Sequence, residues 1–394
     1  MKVVVSRKSF VELVKLVASV VPKSGLMEPY RGIILTATEP SEDTPALLTI
    51  RTSTVKTGMR VEFEGADVVS PGECFVDCRN LIQALEVDGE TLVLETDGER
   101  LDVRGSEDVS KLFGLNLSEA RNWLTHPQGA AGVSVSPSEF GRLFCSVAYA
   151  VAITPSRYAV RGVFVEFSSG ALRMTTTDGC RLATGTIPTG ARTMPGFGVV
   201  GTDALIAAKR ALKLIPKALE TRIWETAEGP ARSGYFSFAF HGIQGIQGAR
   251  SLEITGNCIE GTFPTYQEVI PTDNPIRVTI EREPLISACK AAMKFAGPNH
   301  PAMRFVMDGS ADYPAVELSV RNPDRGEWTR KLRADYNGTL TGALKIAFNS
   351  RYISELCQAV DAPYVTLELR APDRPLKLTD GTRQHVLLPV TLSY

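Results

Sequence analysis

The sequence is poor in the residues that metal and acid–base chemistry draw on. It has four histidines in 394 residues, His126, His241, His300 and His385, and none stands at a spacing that pairs it with a nucleophile. The seven cysteines are an odd number without close pairs, which argues against a disulfide framework and fits a reducing compartment. Cys74 and Cys78 are separated by three residues, but no Cys/His pair stands downstream at zinc spacing, so no metal site is expected. No run of about 18 apolar residues occurs, which excludes a membrane-spanning helix. The opening MKVVVSRKSFVELVKL has neither a long apolar core nor a small-residue cleavage site, so the expected location is cytoplasmic. A net charge of −1 excludes a global field that would draw the whole chain onto nucleic acid. Helix-turn-helix, zinc-finger and aromatic RNA-binding motifs are all lacking, and no paired carboxylates stand out. HGIQGIQG (His241 to Gly248) matches neither the P-loop nor the dinucleotide fingerprint and reads as a hairpin loop, so no cofactor is expected.

What is present is a core-forming composition, 43% hydrophobic and 22% charged, at a length that allows two to four domains. The chain also repeats itself. VVVSRKSFVEL from Val3, VSVSPSEFGRL from Val133 and VTIEREPLISA from Val278 share one pattern: alternating β-branched residues, then a large apolar residue seven positions on, Phe10, Phe140 and Leu285. The alternation predicts a strand end, and the residues after it predict a helix. In the first copy Phe10, Leu13, Val14, Val17 and Val21 recur at helical spacing. RGIILTA from Arg31 is echoed by RGVFVEF from Arg161 and, more weakly, by MRFVMD from Met303; LLTIRTSTVKTG is echoed by ALRMTTTDGCRLATG. FVDCRNLIQAL, VVGTDALIAAK and AFNSRYISELC each pass from strand to helix, with Asp77, Thr202 and Asn349 or Ser350 as N-caps. Each copy reads as strands, helix, strands, helix, strands, too long for a solenoid unit. The fold class is α+β in three related domains, with borders near Thr125–Gly132 and Pro271–Pro275, giving residues 1–128, 129–273 and 274–394.

Opposite the apolar stripes the helices lean basic. The first copy offers Lys8, Lys15 and Ser19 with Glu12; the second Ser138, Arg142 and Tyr149; the third Ser287, Lys290 and Lys294 with Glu283. The second helix of the middle copy carries Lys209, Arg210, Lys213 and Lys217, and Arg79 and Arg351 open the equivalent helices. Each face alone reads as a solvated surface. Six together read as a polyanion-binding surface whose phosphate contacts carry no sequence information.

TTTDGCRL packs Asp178, Cys180 and Arg181 into four positions. One reading is a cysteine nucleophile, but no histidine is near in sequence to activate it. The other is a β-turn, since Asp-Gly is a strong turn signal between strands.

RYAVRGVFVEF with LRMTTTDGCRLA, GTFPTYQEVIP, FNSRYISEL and HVLLPVTL, in this order over almost the whole chain, resemble the β subunit of bacterial DNA polymerase III, the replicative sliding-clamp family. The resemblance implies three clamp domains, each with two helices on antiparallel sheets, in a non-catalytic processivity factor. Two chains would join head to tail as a homodimer, a ring of six domains around duplex DNA. It implies the polymerase α subunit and the clamp-loader δ subunit among the partners. A hydrophobic cleft would receive a short peptide of the glutamine…leucine-phenylalanine kind. The matching cleft positions are Val160, Thr177, Gly179, Cys180, Arg181, Leu182, Pro264, Val269, Val386, Leu387, Leu388, Pro389, Val390 and Leu392. The DNA-facing positions would be Lys8, Lys15, Lys23, Arg79, Arg142, Lys209, Arg210, Lys213, Lys217, Lys290, Lys294 and Arg351. The chain departs from the family pattern in Cys180, where His is common, and in LPVTLSY, where Met-Pro-Met-Arg-Leu is common. Ser393 and Tyr394 extend past the usual end, and the first domain has LNLSEARNW in place of an FPxY stretch. These changes also leave room for a paralogue serving a restricted set of partners.

Overall fold

The computed structural model describes residues 1–21, 28–42, 45–122, 132–152, 160–168, 170–189, 196–226, 233–297, 302–308, 314–337, 340 and 342–391. One series of elements occurs three times. The first is β1 (Lys2–Ser6), α1 (Arg7–Ala18), β2 (Gly32–Thr38), β3 (Leu47–Ser53), β4 (Thr57–Phe63), β5 (Ala66–Ser70), β6 (Gly72–Asp77), α2 (Cys78–Ala84), β7 (Thr91–Thr96), β8 (Arg100–Arg104) and β9 (Val109–Phe113). The second is β10 (Val133–Val135), α3 (Pro137–Val147), β11 (Gly162–Ser168), β12 (Ala171–Thr177), β13 (Arg181–Pro188), β14 (Gly196–Gly201), α4 (Thr202–Leu212), β15 (Ala218–Thr226), β16 (Ser233–His241) and β17 (Ala249–Asn257). The third is β18 (Ile276–Glu281), α5 (Arg282–Ala296), β19 (Ala302–Asp308), β20 (Ala315–Asn322), β21 (Gly326–Asn337), β22 (Ala343–Asn349), α6 (Ser350–Gln358), β23 (Tyr364–Leu369), β24 (Leu376–Asp380) and β25 (Arg383–Leu387).

Each series opens with a strand that runs directly into a helix, and the first large apolar residue of that helix anchors it. Phe10, Phe140 and Leu285 are all fully buried. Leu13, Val14 and Val17 complete the buried stripe of α1. The helix stops at Ala18, so Val20, not Val21, turns inward, a correction to the 3.6-residue extrapolation. The second helices start from side-chain caps where the sequence supplies them. Asp77 accepts from the Arg79 and Asn80 amides at 2.9 and 3.1 Å, and Asn349 accepts from Arg351 at 3.0 Å. In α4 the expected Thr202 cap is absent. Gly201 holds the cap position without a side-chain bond, and Asp203 in the first turn sets a negative charge against the helix N-terminus.

The contacts divide the chain into two compact units: residues 1–141, 166–171 and 188–260, and residues 142–165, 172–187 and 261–394. In the first, a five-stranded sheet runs β5-β1-β7-β8-β9 and an eight-stranded sheet runs β10-β15-β16-β17-β4-β3-β2-β6. HGIQGIQG is the hairpin loop between β16 and β17. Phe140 meets Phe238 edge to face at 5.4 Å in this unit's interior. In the second unit, strands run β12-β13-β25-β24-β23-β18-β21-β20-β19-β22. Their inner faces pack with α5 and α6 around Leu285, Met303, Phe305 and Phe348.

The same strand junction joins consecutive copies in both units. The last strand of one copy pairs antiparallel with a middle strand of the copy before it. In the first unit β17 lies on β4, with Ile254 opposite Met59 and Gly256 opposite Thr57. In the second β25 lies on β13, with His385 opposite Ala183 and Leu387 opposite Arg181. The next hydrogen bond repeats too: Asn257 donates to the Lys56 carbonyl at 3.1 Å, and Leu388 to the Cys180 carbonyl at 2.9 Å.

Truncating an anchor should open a cavity that its neighbours cannot fill. Phe10→Ala is expected to cost about 3–5 kcal/mol in denaturant unfolding, whereas Val21→Ala should stay within about 1 kcal/mol.

Candidate functional site

The Asp178-Gly179-Cys180-Arg181 turn joins β12 to β13, and its own polar groups hold it. Asp178 Oδ1 accepts from the amides of Cys180 and Arg181 at 2.9 and 3.0 Å. Thr177 Oγ1 accepts from Gly179 at 3.1 Å and donates to the Arg181 carbonyl at 2.7 Å. Gly179 sits at φ +90°, which only glycine adopts cheaply. The turn reading therefore accounts for the cluster. Partial burial and the neighbouring Asp178 carboxylate push the Cys180 thiol upward, the opposite of what activates a nucleophile. Cys74 and Cys78 are buried, pushed up to about 12 and about 11 mainly by burial. Among the described residues no three His, Cys, Asp or Glu gather as a metal site.

Arg181 turns inward beneath this turn, its side chain only 3% exposed. Its Nε donates to Asp178 Oδ2 at 2.9 Å and its Nη1 to Glu355 Oε2 on α6. The guanidinium lies 4.1 Å from the Tyr352 ring centre and 5.3 Å from that of Tyr149. Glu355 also accepts from Arg351 Nε at 2.7 Å. Burial alone would raise the Glu355 carboxyl; the bonds from Arg181 and Arg351 outweigh it and hold it below the usual range. Tyr149 is thus no exposed residue of α3, as the sequence pattern had it. It sits in a single 3-10 turn past the helix, partly buried, and its hydroxyl meets His385 Nδ1 at 3.1 Å.

Above this layer lies an apolar hollow of about 400 Å³. Ten of the expected cleft residues line it: Val160, Thr177, Gly179, Cys180, Arg181, Leu182, Pro264, Val269, Val386 and Leu388. Asp178, Thr265 and Tyr266 also line it and were missing from the expected set. Tyr266 is fixed by a stack in which Phe164 and Phe263 lie parallel at 4.7 Å, with Arg173 donating to its hydroxyl at 3.3 Å. Leu387 is a correction. Strand alternation points it into the core, where it is 1% exposed, while Val386 and Leu388 face the hollow. Pro389 and Val390 line a second hollow of about 500 Å³ that shares Leu388. Leu392, Ser393 and Tyr394 lie outside the described residues.

The basic residues are exposed where the helix pattern put them: Lys8, Lys15, Arg79, Arg142, Lys209, Arg210, Lys213, Lys290, Lys294 and Arg351. Lys217 is also exposed but stands past the end of α4, its amide bonded to the His241 carbonyl, so it does not extend that helix face. Lys23, His126 and His300 lie outside the described residues. The six helices together hold eleven Lys and Arg against five Asp and Glu, a surplus of six cations in a chain of net charge −1. That segregation, not the total, is what a polyanion would meet.

His385 is fully buried and its Nε2 finds no hydrogen-bond partner among the described residues. Burial, with Arg383 adding to it, lowers its pKa from 6.5 to about 4. The unfolded chain therefore takes up a proton that the folded chain refuses. Stability is full above pH 6.5 and falls as pH drops toward 4, by up to about 3 kcal/mol. Denaturant midpoints tracked between pH 7 and pH 4.5 should slope down in the wild type and flatten in His385→Gln.

Residues 267–390 match the family model described as DNA polymerase III beta subunit, C-terminal domain. The chain is 24% identical to the beta sliding clamp of Caulobacter vibrioides over 265 residues, 66% of this chain and 65% of that relative. It is 24% identical to the beta sliding clamp of Chlamydia muridarum over 395 residues, 100% of this chain and 99% of the relative. The fold matches the crystal structure of the DNA polymerase sliding clamp from Bacillus subtilis, with a TM-score of 0.86 at 17% identity and full coverage of both chains. Residues 267–390 thus match the C-terminal domain of the DNA polymerase III beta subunit, and over its whole length the chain is similar to beta sliding clamps and shares their fold.

Proposed function

We propose that the protein is a DNA sliding clamp, a non-catalytic processivity factor that encircles duplex DNA and tethers the replicative polymerase. The observation that carries this is the repeated junction. Within the chain, the last strand of copy two pairs with the middle strand β4 of copy one, and the last strand of copy three with β13 of copy two. The two equivalent strands still without such a partner among the described residues are β9, the last strand of copy one, and β21 of copy three, whose Gly326–Arg333 part is paired on one side only, with β20. Repeating the junction a third time pairs β9 of one chain with β21 of another. Two such seams close a head-to-tail homodimer of six domains, taking residues 1–128, 129–273 and 274–394 as one domain each. Phe113 on β9, 89% exposed, and Val109, 49% exposed, would be covered by that seam and the edges satisfied.

Topological linkage needs no tight contact, so modest, salt-dependent phosphate contacts from the helix cations suffice and sliding stays cheap. The DNA-facing set is the one named from the sequence, with Lys217 on a loop. The first hollow would receive the peptide of the polymerase α subunit, the loader δ subunit and other partners, in the cytoplasm. An apolar cleft with a few fixed polar groups suits such a peptide. Loading the protein on a nicked circle and then cutting the circle should release it. Retention on the linear product would refute the ring, and Phe113→Glu should load poorly from the start.

A second reading, a clamp paralogue serving few partners, draws on Cys180, Leu388 and Val390. They set a small thiol and a stiffer side chain in the first hollow, and another stiff side chain in the adjoining second hollow, where histidine and adaptable methionine are common. A labelled glutamine…leucine-phenylalanine peptide, monitored by fluorescence titration, separates the two. The general clamp predicts saturable binding that weakens about five- to thirtyfold in Leu388→Ala. A folded, dimeric wild type that ignores the peptide would favour the paralogue.

A further inference from the structure

The second hollow has walls of a different character from the first. Arg304 on β19 and Lys345 on β22 lie on the outward face of neighbouring antiparallel strands, where Arg304 is opposite Ala347 and Val306 opposite Lys345. The two cations are therefore diagonal neighbours on one face. Neither makes an ion pair among the described residues. Among the described residues Asp373 is the one acid of the lining, against these two cations, so the described lining holds a surplus of positive charge. Its other wall is the segment Leu388-Pro389-Val390, pinned in place because Val390 donates to the Ala347 carbonyl at 2.8 Å. Leu388 belongs to both hollows, so a chain lying in the first passes over it into the second. At about 500 Å³ the second hollow has room for more than one side chain.

We propose that Arg304 and Lys345 select partner peptides carrying acidic side chains beside the apolar anchor, the anchor seated in the first hollow and the carboxylates in the second. This rests on the peptide-cleft reading and adds to it a charge rule set by this chain's own residues. Apolar contact would supply the anchor's affinity; the cations would discriminate among anchors by their flanks. Because both cations stand at an open surface, the gain per pair is small and screened by salt.

The test uses the labelled glutamine…leucine-phenylalanine peptide in three forms: bare, flanked by Asp-Asp, and flanked by the isosteric Asn-Asn, with the flank placed at either end in turn. At low salt the wild-type protein should bind one Asp-Asp form about three- to tenfold more tightly than its Asn-Asn twin, the ratio shrinking at high salt. In Arg304→Glu/Lys345→Glu the ratio should fall to one or invert, with the bare peptide bound as before, which also shows that the variant is folded. Bare-peptide binding with no Asp preference at either end, or with the same preference in the double variant, would overturn the charge rule alone. Failure of the wild type to bind the bare peptide would overturn the cleft reading and the charge rule with it.

Discussion

The cleft depends on one buried cation. Arg181 cannot be left unpaired in a layer where its side chain is 3% exposed, and three kinds of contact answer that need: Asp178, Glu355, and the faces of Tyr352 and Tyr149. Asp178 is used twice, once for the guanidinium and once for the amides of the turn, so a single carboxylate joins the turn's shape to the charge beneath it. Glu355 ties the same guanidinium to α6. The floor of the hollow is therefore electrostatically fixed while its walls are apolar. Lysine could not replace Arg181, because a single ammonium has no planar face to lie on tyrosine while its nitrogens reach two carboxylates.

The repeated junction explains how several sheets are assembled without exposing long edges. In each case the incoming strand caps a middle strand and the residue after its last paired one bonds to the turn carbonyl, at Lys56 and at Cys180. The second junction differs from the first in what surrounds it. Beside β13 stand the Pro264–Val269 segment and the Leu388–Val390 segment; beside the Thr54–Thr57 turn the chain supplies Asn257. At the second junction the same backbone device thus serves both closure and a hollow. A cleft can arise on a repeat fold by changing the flanking segments and leaving the pairing intact.

Local patterns made most of the fold legible. The strand-to-helix openings at Phe10, Phe140 and Leu285, the Asp77 and Asn349 caps, and the Asp-Gly turn each rest on residues a few positions apart. Errors arose where a local rule was extended past its element, as with Val21 beyond α1 and Lys217 beyond α4, or where strand alternation was ignored, as with Leu387. Thr202 failed as a cap because the helix starts one residue earlier than expected: Thr202 is already helical, and Gly201 takes the extended φ/ψ of the cap. The site was only half legible. Arg181 stood out in sequence, but Glu355 is 174 positions away and His385 is 236 from Tyr149, distances no periodicity bridges. The cations of the second hollow were missed for the same reason: Arg304 and Lys345 become neighbours only when β19 pairs with β22.

Charge placement resolves why a chain of net charge −1 can present basic helices. Many of its acids are engaged on strands, in cross-strand or same-strand pairs: Glu62 with Arg60 and Arg250, Glu95 with Lys2 and Arg104, Glu317 with Lys331, Glu368 with Lys377. Where such pairs are exposed they add little stability, but together they leave the sheets electrostatically quiet. The helices are built the other way, with cations at spacings that keep them outward and few acids among them. Two helix cations are paired within their own helix: Arg282 with Glu283, and Arg351 with Glu355, which also holds Arg181. One carboxylate thus serves a cation of the helix surface and the cation under the cleft, and its low pKa reflects both.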